Sequence, residues 1–177
     1  YIKMMRRKIL IEPDPILRKK CEPIEKVDEE LKKLMNEMLE TMYQAPGIGL
    51  AAIQVGILKR AVVIDISKDE QKRDPLFLIN PEILQRSKET SVYEEGCLSL
   101  PGQFAEIERP AECHLKYIDL NGKKKELKAQ GLLSTCIQHE VDHLNGVLFI
   151  DYLSKLKKDM IIKKLIKRKK EIKRVVV

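Results

Sequence analysis

The stretch LLSTCIQHEVDHLNG, residues 132–146, predicts a helix that carries two histidines on one face. His139 and His143 are four residues apart, so on a helix their imidazoles lie one above the other and can reach one metal ion. Glu140 stands beside them, and Gly146 suits the position just past a helix end. This segment is the first candidate for a catalytic centre, although an ordinary helix with two hydrogen-bonded histidines would show the same short motif.

An apolar patch leads into the histidine pair. Leu132, Cys136, His139 and His143 follow the helical spacing i, i+4, i+7, i+11 and so share one face. A pocket beside a metal ion would have this composition, which favours a metal site over a purely structural pair of histidines.

A catalytic metal site needs a third protein ligand and an open position. One common pattern would place a histidine where the chain has Phe149, and Glu171, the only glutamate after the helix, lies in a basic tail. His114 is possible, but it falls on a predicted hairpin strand. Cys97 follows a glycine in EGCLS, residues 95–99, and a thiolate is a strong ligand for a divalent ion. The alternative for Cys97 is an ordinary buried cysteine.

Outward from this helix, the hydrophobic pattern predicts an α+β fold. The predicted elements are a helix from about Asp28 to Gln44, strands in residues 61–66, 76–79 and 83–92, a hairpin of 114–120 with 124–129, the histidine helix over 132–145, and a basic helix from 154. Asp28 is a suitable N-cap, and Asn121-Gly122 is a strong hairpin signal. Because strands do not alternate with helices, an α+β fold with mixed or antiparallel sheets is favoured over a doubly wound sheet.

The segment GIGLAAIQ, residues 47–54, is interpreted as a glycine-rich loop. Its G-x-G-x-x-A pattern would bind a dinucleotide only after a strand and before a helix, whereas here a helix precedes it and a strand follows. No nucleotide cofactor is therefore expected. The uncharged run 41–58 contains three glycines, a proline and two glutamines, so it does not predict a membrane span of about 20 mostly apolar residues.

Composition and charge fit one globular domain with an appendage. The 177 residues are 44% hydrophobic and 34% charged, and the formal net charge is +7. Residues 154–177 hold 11 Lys or Arg against two acids, whereas residues 1–153 are nearly neutral. We therefore expect a catalytic body, residues 1–153, and a basic helical extension, residues 154–177, in the same domain. Four cysteines without a recognisable secretory signal indicate reduced thiols and a cytoplasmic protein.

The basic extension carries one apolar stripe at helical spacing. Its members are Leu156, Met160, Ile161, Leu165 and Ile172. The helix can pack on the body by this stripe, or its Lys and Arg side chains can contact a polyanion such as RNA. The pattern leaves both open.

Three motifs together resemble the signature of the peptide deformylases. They are GIGLAAIQ at 47–54, EGCLS at 95–99 and QHEVDHLNG at 138–146, in the order and with the spacing of that family. The resemblance extends from the segment near Asp14 through Asp151 and so covers nearly all of the body. It implies the α+β fold of that family, with sheets around the HExxH helix, and removal of the formyl group from N-formylmethionine of new polypeptides as formate.

The resemblance also implies roles for individual residues. Cys97, His139 and His143 would bind one divalent ion, natively Fe²⁺, with Ni²⁺, Co²⁺ or Zn²⁺ as substitutes. Glu140 would be the general base and acid. Gln54 and the backbone N–H of Leu98 would stabilise the oxyanion. The residues expected at the substrate are Ile48, Gly49 and Gly96 along its backbone and Tyr93, Leu132, Thr135 and Cys136 around its methionine. Asp142 is expected to orient a ligand imidazole, with Arg109 as its partner.

Two other functions remain alternatives. An HExxH endopeptidase would use the same helix with a histidine or glutamate as third ligand. A basic-tailed RNA- or ribosome-binding protein would hold a structural metal with a closed ligand set. In bacterial members of the resembled family a C-terminal helix docks near the ribosomal exit tunnel, so we expect residues 154–174 to do so here. No membrane partner is expected.

Overall fold

The computed structural model describes residues 6–175, with side chains up to Glu171. Within that range the chain forms three α-helices and seven strands, joined by short 3₁₀ turns. In chain order these are α1 (Glu29–Gln44), β1 (Gly49–Ala51), β2 (Ala61–Ile64), β3 (Leu76–Arg86), β4 (Thr90–Cys97), β5 (Leu100–Pro110), β6 (Glu112–Ile118), β7 (Lys124–Gln130), α2 (Gly131–Leu144) and α3 (Lys155–Val175). None of the helices in this range is long and apolar enough to cross a membrane.

The strands form two antiparallel sheets. Five of them pair in the order β1-β2-β3-β6-β7, and β4 pairs only with β5 in a separate two-stranded sheet. The β4–β5 hairpin is therefore inserted in the chain between β3 and β6 and lies outside the larger sheet. This arrangement confirms the predicted α+β class with antiparallel sheets around the histidine helix.

The first helix follows its sequence pattern closely. The Asp28 carboxylate accepts a hydrogen bond from Leu31 N at 2.9 Å, which caps the helix as predicted. Its apolar face is fully buried and consists mainly of Met35, Met38 and Met42. These side chains belong to the same core cluster as Ala61 and Val63 of β2, so α1 covers one face of the larger sheet.

The histidine helix α2 covers the opposite face. Val62 and Ile64 of β2 pack with Ile137 and Val141 of α2, while the intervening residue of the strand faces α1. The strand is therefore buried on both sides, which explains its unbroken apolar sequence AVVI. Since α2 also contacts β4 and β5, it lies between the two sheets.

The carbonyl end of α2 is held by distant segments of the chain. Leu144 O accepts hydrogen bonds from Cys21 N at 2.9 Å and from the Arg60 guanidinium at 3.1 Å. Gly146 has a φ of +75°, and a Cβ at this position would collide with the backbone carbonyl of Arg18. Glycine is thus required here both for its conformation and for the close approach.

Two strand predictions need correction. The predicted strand 83–92 is interrupted: β3 ends at Arg86 and β4 begins at Thr90, because the chain turns where the Ser87 hydroxyl donates to Glu89 O at 2.8 Å. The predicted loop 47–54 contains β1 and a 3₁₀ turn, and β1 pairs with β2. β5 has no counterpart in the sequence prediction.

The other predicted elements are confirmed. The hairpin turns at Asn121-Gly122 between β6 and β7, where Gly122 has a φ of +77°. In α3, Ile161 and Leu165 are buried against the body. The prediction that Leu156 and Met160 belong to the same packed stripe is wrong, however, because they are 72% and 50% exposed. Ile172 lies outside the described side chains.

Candidate active site

Three possible metal ligands converge from two elements. Cys97 ends β4, and His139 and His143 are one turn apart on α2. One ligand atom from each lies within 4.8 Å of the other two. Cys97 Sγ is 3.3 Å from His143 Nε2, close to the edge of about 3.6 Å that a tetrahedral site with ordinary metal–sulfur and metal–nitrogen bonds would have. His114 is not part of the group, since its ring pairs with Glu126 on β7.

Each histidine can offer Nε2 to an ion, but His139 must first release a proton, because its pKa is raised while that of His143 is lowered. Burial, with the neighbouring His139, lowers the pKa of His143 well below its ordinary value, so its imidazole is neutral. His139 Nδ1 lies 2.9 Å from Glu95 Oε1, which leaves its Nε2 available. Burial lowers the pKa of His139, but hydrogen bonds with Cys97 and Glu95 outweigh it and raise this pKa. A sulfur and two imidazole nitrogens suit iron, cobalt, nickel or zinc.

A buried ion-pair network supports His139. The Arg109 guanidinium donates to both oxygens of Glu95, at 2.7 and 2.9 Å, and to Asp142 Oδ2 at 2.9 Å. Tyr152 O–H donates to the same Asp142 oxygen at 2.7 Å, and its ring lies beneath the guanidinium. The expected Asp142–Arg109 pair is present, but the carboxylate that contacts a ligand imidazole is that of Glu95, not Asp142.

The sequence prediction missed Glu95 and Tyr152. Glu95 is two residues before Cys97 on β4, so both side chains point to the same face of the strand. That alternation was the available signal, and it becomes useful only once residues 90–97 are known to be a strand. Tyr152 lies in the 3₁₀ turn Phe149–Tyr152, and no local pattern connects it with the histidines.

Glu140 is buried beside the ligands. Its Oε1 is 4.0 Å from His139 Nε2, and its Oε2 has no hydrogen-bond partner among the described residues. Burial raises the pKa of Glu140 to about 7, although the charge of His139 opposes the shift. A Cβ at Gly49 would lie 2.6 Å from Oε1, so the glycine of β1 allows this carboxylate its position. A proton can therefore be taken up and released here near neutral pH.

Gln54 places its amide donor beside the ligand set. Its Oε1 accepts a hydrogen bond from Ala51 N at 2.9 Å, which fixes the orientation of the amide. Its Nε2 then lies 3.0 Å from Ser99 Oγ and 3.5 Å from Cys97 Sγ. Leu98 follows Cys97 directly and lines the same cavity, so its backbone N–H is adjacent to the ligand set.

A cavity of about 640 Å³ opens onto these groups. All seven residues expected at the substrate line it: Ile48, Gly49, Tyr93, Gly96, Leu132, Thr135 and Cys136. Gln54, Cys97, His139 and Glu140 line it as well. The Ile48 carbonyl accepts from Asp65 N at 2.8 Å and therefore faces β2 and not the cavity. The structure thus joins an apolar pocket to a cluster of possible metal ligands, a buried carboxylate and an amide donor.

Comparison with known proteins gives one consistent result. A sequence model of the family described as "Polypeptide deformylase" matches residues 6–159. The chain is 63% identical to a peptide deformylase of Pelagibacter ubique (strain HTCC1062), covering 92% of this chain and 95% of the relative. It is 54% identical to that of Rhizobium meliloti (strain 1021), covering 92% and 93%.

Solved structures of peptide deformylases are similar to this fold. The fold is similar to that of a peptide deformylase from Legionella pneumophila, with a TM-score of 0.89, 45% identity, and coverage of 96% of this chain and 99% of that one. The corresponding values for the structure from Ehrlichia chaffeensis are 0.88, 41%, 93% and 97%.

Proposed function

The chain belongs to the polypeptide deformylase family and is thus a metal-dependent hydrolase that removes the formyl group from nascent peptides, and we propose how its residues divide this work. The observation that carries the proposal is the convergence of Cys97, His139 and His143 beside a buried carboxylate that lacks a partner among the described residues. The endopeptidase and structural-metal alternatives are not favoured by the family match.

We propose that Cys97, His139 and His143 hold one divalent ion, with Fe²⁺ in the cell and Ni²⁺, Co²⁺ or Zn²⁺ able to replace it. Such an ion would lower the pKa of a bound water toward about 7 and polarise a carbonyl oxygen. Three protein ligands leave a fourth position for water, as in catalytic zinc sites. Glu95 and Arg109 would keep the His139 ring oriented through their buried hydrogen bonds.

Glu140 would serve as the general base. Its carboxylate is held within reach of the ligand set, and a pKa of about 7 suits both acceptance and donation of a proton. It would take a proton from the attacking water and return it to the amine of methionine as the carbon–nitrogen bond breaks. Formate and a free N-terminus are then the products.

Gln54 and Leu98 would stabilise the negative charge that develops on the formyl oxygen. The Gln54 amide is oriented in advance by Ala51 N, so no reorganisation is needed when the charge appears. The backbone N–H of Leu98 would be the second donor. Because these donors act on the transition state, their loss should lower kcat more than it raises KM.

The substrate would enter as an extended strand between β1 and β4. Gly49 and Gly96 line the cavity, and Ile48 stands at the same edge. The methionine side chain would occupy the pocket lined by Tyr93 and by Leu132, Thr135 and Cys136 of α2. Tyr93 would close that pocket from the β4 side.

Formate release from a formyl-methionyl peptide tests this assignment. Protein purified without oxygen is supplied with Fe²⁺, Ni²⁺, Co²⁺ or Zn²⁺, and wild type is compared with Glu140→Ala at equal metal content. Turnover that is lost in the variant while the metal stays bound supports both the reaction and the base. Full activity of Glu140→Ala would refute its role, and unchanged metal content after Cys97→Ala would refute the ligand set.

We also propose that the basic extension, residues 154–177, docks this cytoplasmic enzyme on the ribosome through residues 154–174. Ile161 and Leu165 of the extension pack on the body, which supports the proposal that it is part of the same domain. Lys163, Lys164 and Lys167 of α3 are exposed and could neutralise phosphates of RNA, whereas Lys158 pairs with Asp151 of the body.

Charge-neutralising variants test the docking without removing the packed face. Lys163→Gln, Lys164→Gln and Lys167→Gln combined should weaken ribosome binding and reduce its salt dependence, while a short peptide is still deformylated at the wild-type rate. A matched control neutralises three exposed lysines of the β6–β7 hairpin, Lys123, Lys124 and Lys125. Equal ribosome binding by wild type and the triple variant at physiological salt would contradict the proposal.

A further inference from the structure

One cation of the basic extension reaches the rim of the substrate cavity. The Arg168 guanidinium on α3 donates to the Pro101 carbonyl at 3.1 Å and lies 3.4 Å from the position of a Cβ on Gly102. Pro101 and Gly102 line the same cavity as Cys97 and Glu140. The C-terminal helix therefore contributes directly to the edge of the active-site groove.

The packing of α3 fixes this position. Leu165 is 2% exposed and shares a core cluster with Leu100, the residue before Pro101. Arg168 follows Leu165 by three residues, so both lie on the same side of the helix. The burial of Leu165 thus holds Arg168 at the rim of the cavity.

The charge of Arg168 has no ion-pair partner among the described residues. Among the described residues no carboxylate lies within 4.0 Å of its guanidinium, which contacts a carbonyl and is otherwise exposed. A guanidinium has five N–H donors in a planar fork that matches a carboxylate. At this edge of the groove, donors therefore remain for a ligand.

The path of the peptide leads toward this cation. Cys97 pairs with Leu100 across the β4–β5 sheet, and Gly96 pairs with Phe104, whose ring stands over the glycine and is 63% exposed. A peptide that passes Gly96 with its formyl group at Cys97 extends about 3.3 Å per residue. Gly96, Pro101, Gly102 and Phe104 line the same cavity, so the second and third residues after its start would come within reach of side chains at the rim beside Pro101 and Gly102.

We propose that Arg168 is a specificity-determining residue that binds a carboxylate on the substrate, two or three residues from the formyl-methionine end. The carboxylate comes from an acidic side chain or from the C-terminus of a short peptide. The inference rests on the proposed function, since it concerns the substrate of that same site. Arg168 is distant from the reacting atoms, so it acts on KM and leaves kcat unchanged.

Peptide pairs that differ in one charge test this interaction. The values of kcat/KM are measured for formyl-Met-Ala-Glu-amide and formyl-Met-Ala-Gln-amide, and for formyl-Met-Ala-Ala as free acid and as amide. Wild type should prefer each anionic peptide by about three- to fivefold at low salt, the range of an exposed charge pair. The side-chain pair and the terminal pair separate the two sources of the carboxylate.

Variants assign the preference to one residue. Arg168→Gln should abolish it through a rise in KM for the anionic peptide, and Arg168→Glu should instead favour formyl-Met-Ala-Lys-amide. Lys167→Gln removes the same charge from the neighbouring exposed position and should retain the wild-type preference. Raising the salt to about 0.5 M should reduce the preference without changing kcat/KM for the neutral peptide, because exposed charges are screened.

Each contrary outcome has a distinct meaning. Equal Glu/Gln ratios in wild type and Arg168→Gln would overturn the inference while formate release still supports the proposed function. The same loss in Lys167→Gln would also overturn it, by showing that the overall charge of α3 suffices. No turnover of any formyl peptide by metal-loaded wild type would refute the proposed function and this inference together.

Discussion

Replacing Arg109 by methionine should destabilise the protein more than any ordinary surface change. The guanidinium is 4% exposed and its bidentate partner Glu95 is 5% exposed, with Asp142 as a third member of the network. Methionine fills much of the arginine volume but leaves the Glu95 carboxylate buried beside His139 without its cation. The network therefore fails by uncompensated burial of a charge, and not by a cavity.

The expected loss is about 3–5 kcal/mol, the range for removing one partner of a buried ion pair. For a domain of this size 1 kcal/mol corresponds to about 2–4 °C in Tm, so Tm should fall by roughly 6–20 °C. Metal affinity should fall about 10- to 100-fold as well, because Glu95 orients His139.

Urea unfolding followed by circular dichroism, with a chelator present, measures the stability change separately from metal binding. Competition with a chelating dye measures the metal dissociation constant. Lys32→Met is the control, because its pair with Glu29 is exposed and should contribute less than about 1 kcal/mol. Arg109→Met with Glu95→Gln should regain part of the loss, since position 95 then no longer buries a charge without its cation.

A loss below about 1 kcal/mol in Arg109→Met would refute this reasoning, because the carboxylate would then be solvated despite its burial. Equal stability of the single and double variants would refute it as well. In that case the loss would come from packing and not from charge.

Three further predictions concern single residues near the site. Gly49→Ala should lower kcat with metal content unchanged, because the new Cβ would displace Glu140; a fully active variant would show that the carboxylate has another productive position. Gln54→Ala should lower kcat by about 10²–10³ with little change in KM, measured by formate release, and an effect on KM alone would remove Gln54 from oxyanion stabilisation. Gly146→Ala should lose at least about 2 kcal/mol in urea unfolding, because left-handed strain of about 1–2 kcal/mol adds to a collision with Arg18 O. Gly122→Ala is its control, with a similar φ and no atom near the new Cβ, and equal losses in the two would contradict the collision.

Elements specified by local pattern could be predicted from the sequence. The three- and four-residue spacing of α1 and its Asp28 cap are local features, as is the turn at Asn121-Gly122. β5 was missed because its sequence contains two prolines, a glycine and several charges, and only a few of its side chains are buried. β1 was missed because it has only three residues, the first of them a glycine. Such a short segment shows no strand pattern, and it is a strand only through its pairing with β2.

The residues of the candidate site also divide into those that a local pattern predicts and those that depend on contacts between distant segments. His139, Glu140 and His143 could be identified from helical spacing alone, since all three lie on one helix. Cys97 could not be preferred over His114 by spacing, because the choice depends on how β4 approaches α2 in space. Glu95 stayed hidden for the same reason, as its partners are 14 and 44 residues away along the chain.

If Cys97, His139 and His143 hold the ion as proposed, metal binding is coupled to folding, because these residues come from two separate parts of the fold. Cys97 belongs to the two-stranded sheet, whereas the helix that carries the histidines packs on the five-stranded one. An ion bound by all three residues can bind only when the sheets are correctly placed, so binding favours the folded chain by mass action. At a free ion concentration 1,000 times the dissociation constant this amounts to about 4.1 kcal/mol, comparable to the whole Arg109 network. The melting temperature is thus a direct reporter of how tightly each candidate metal is held.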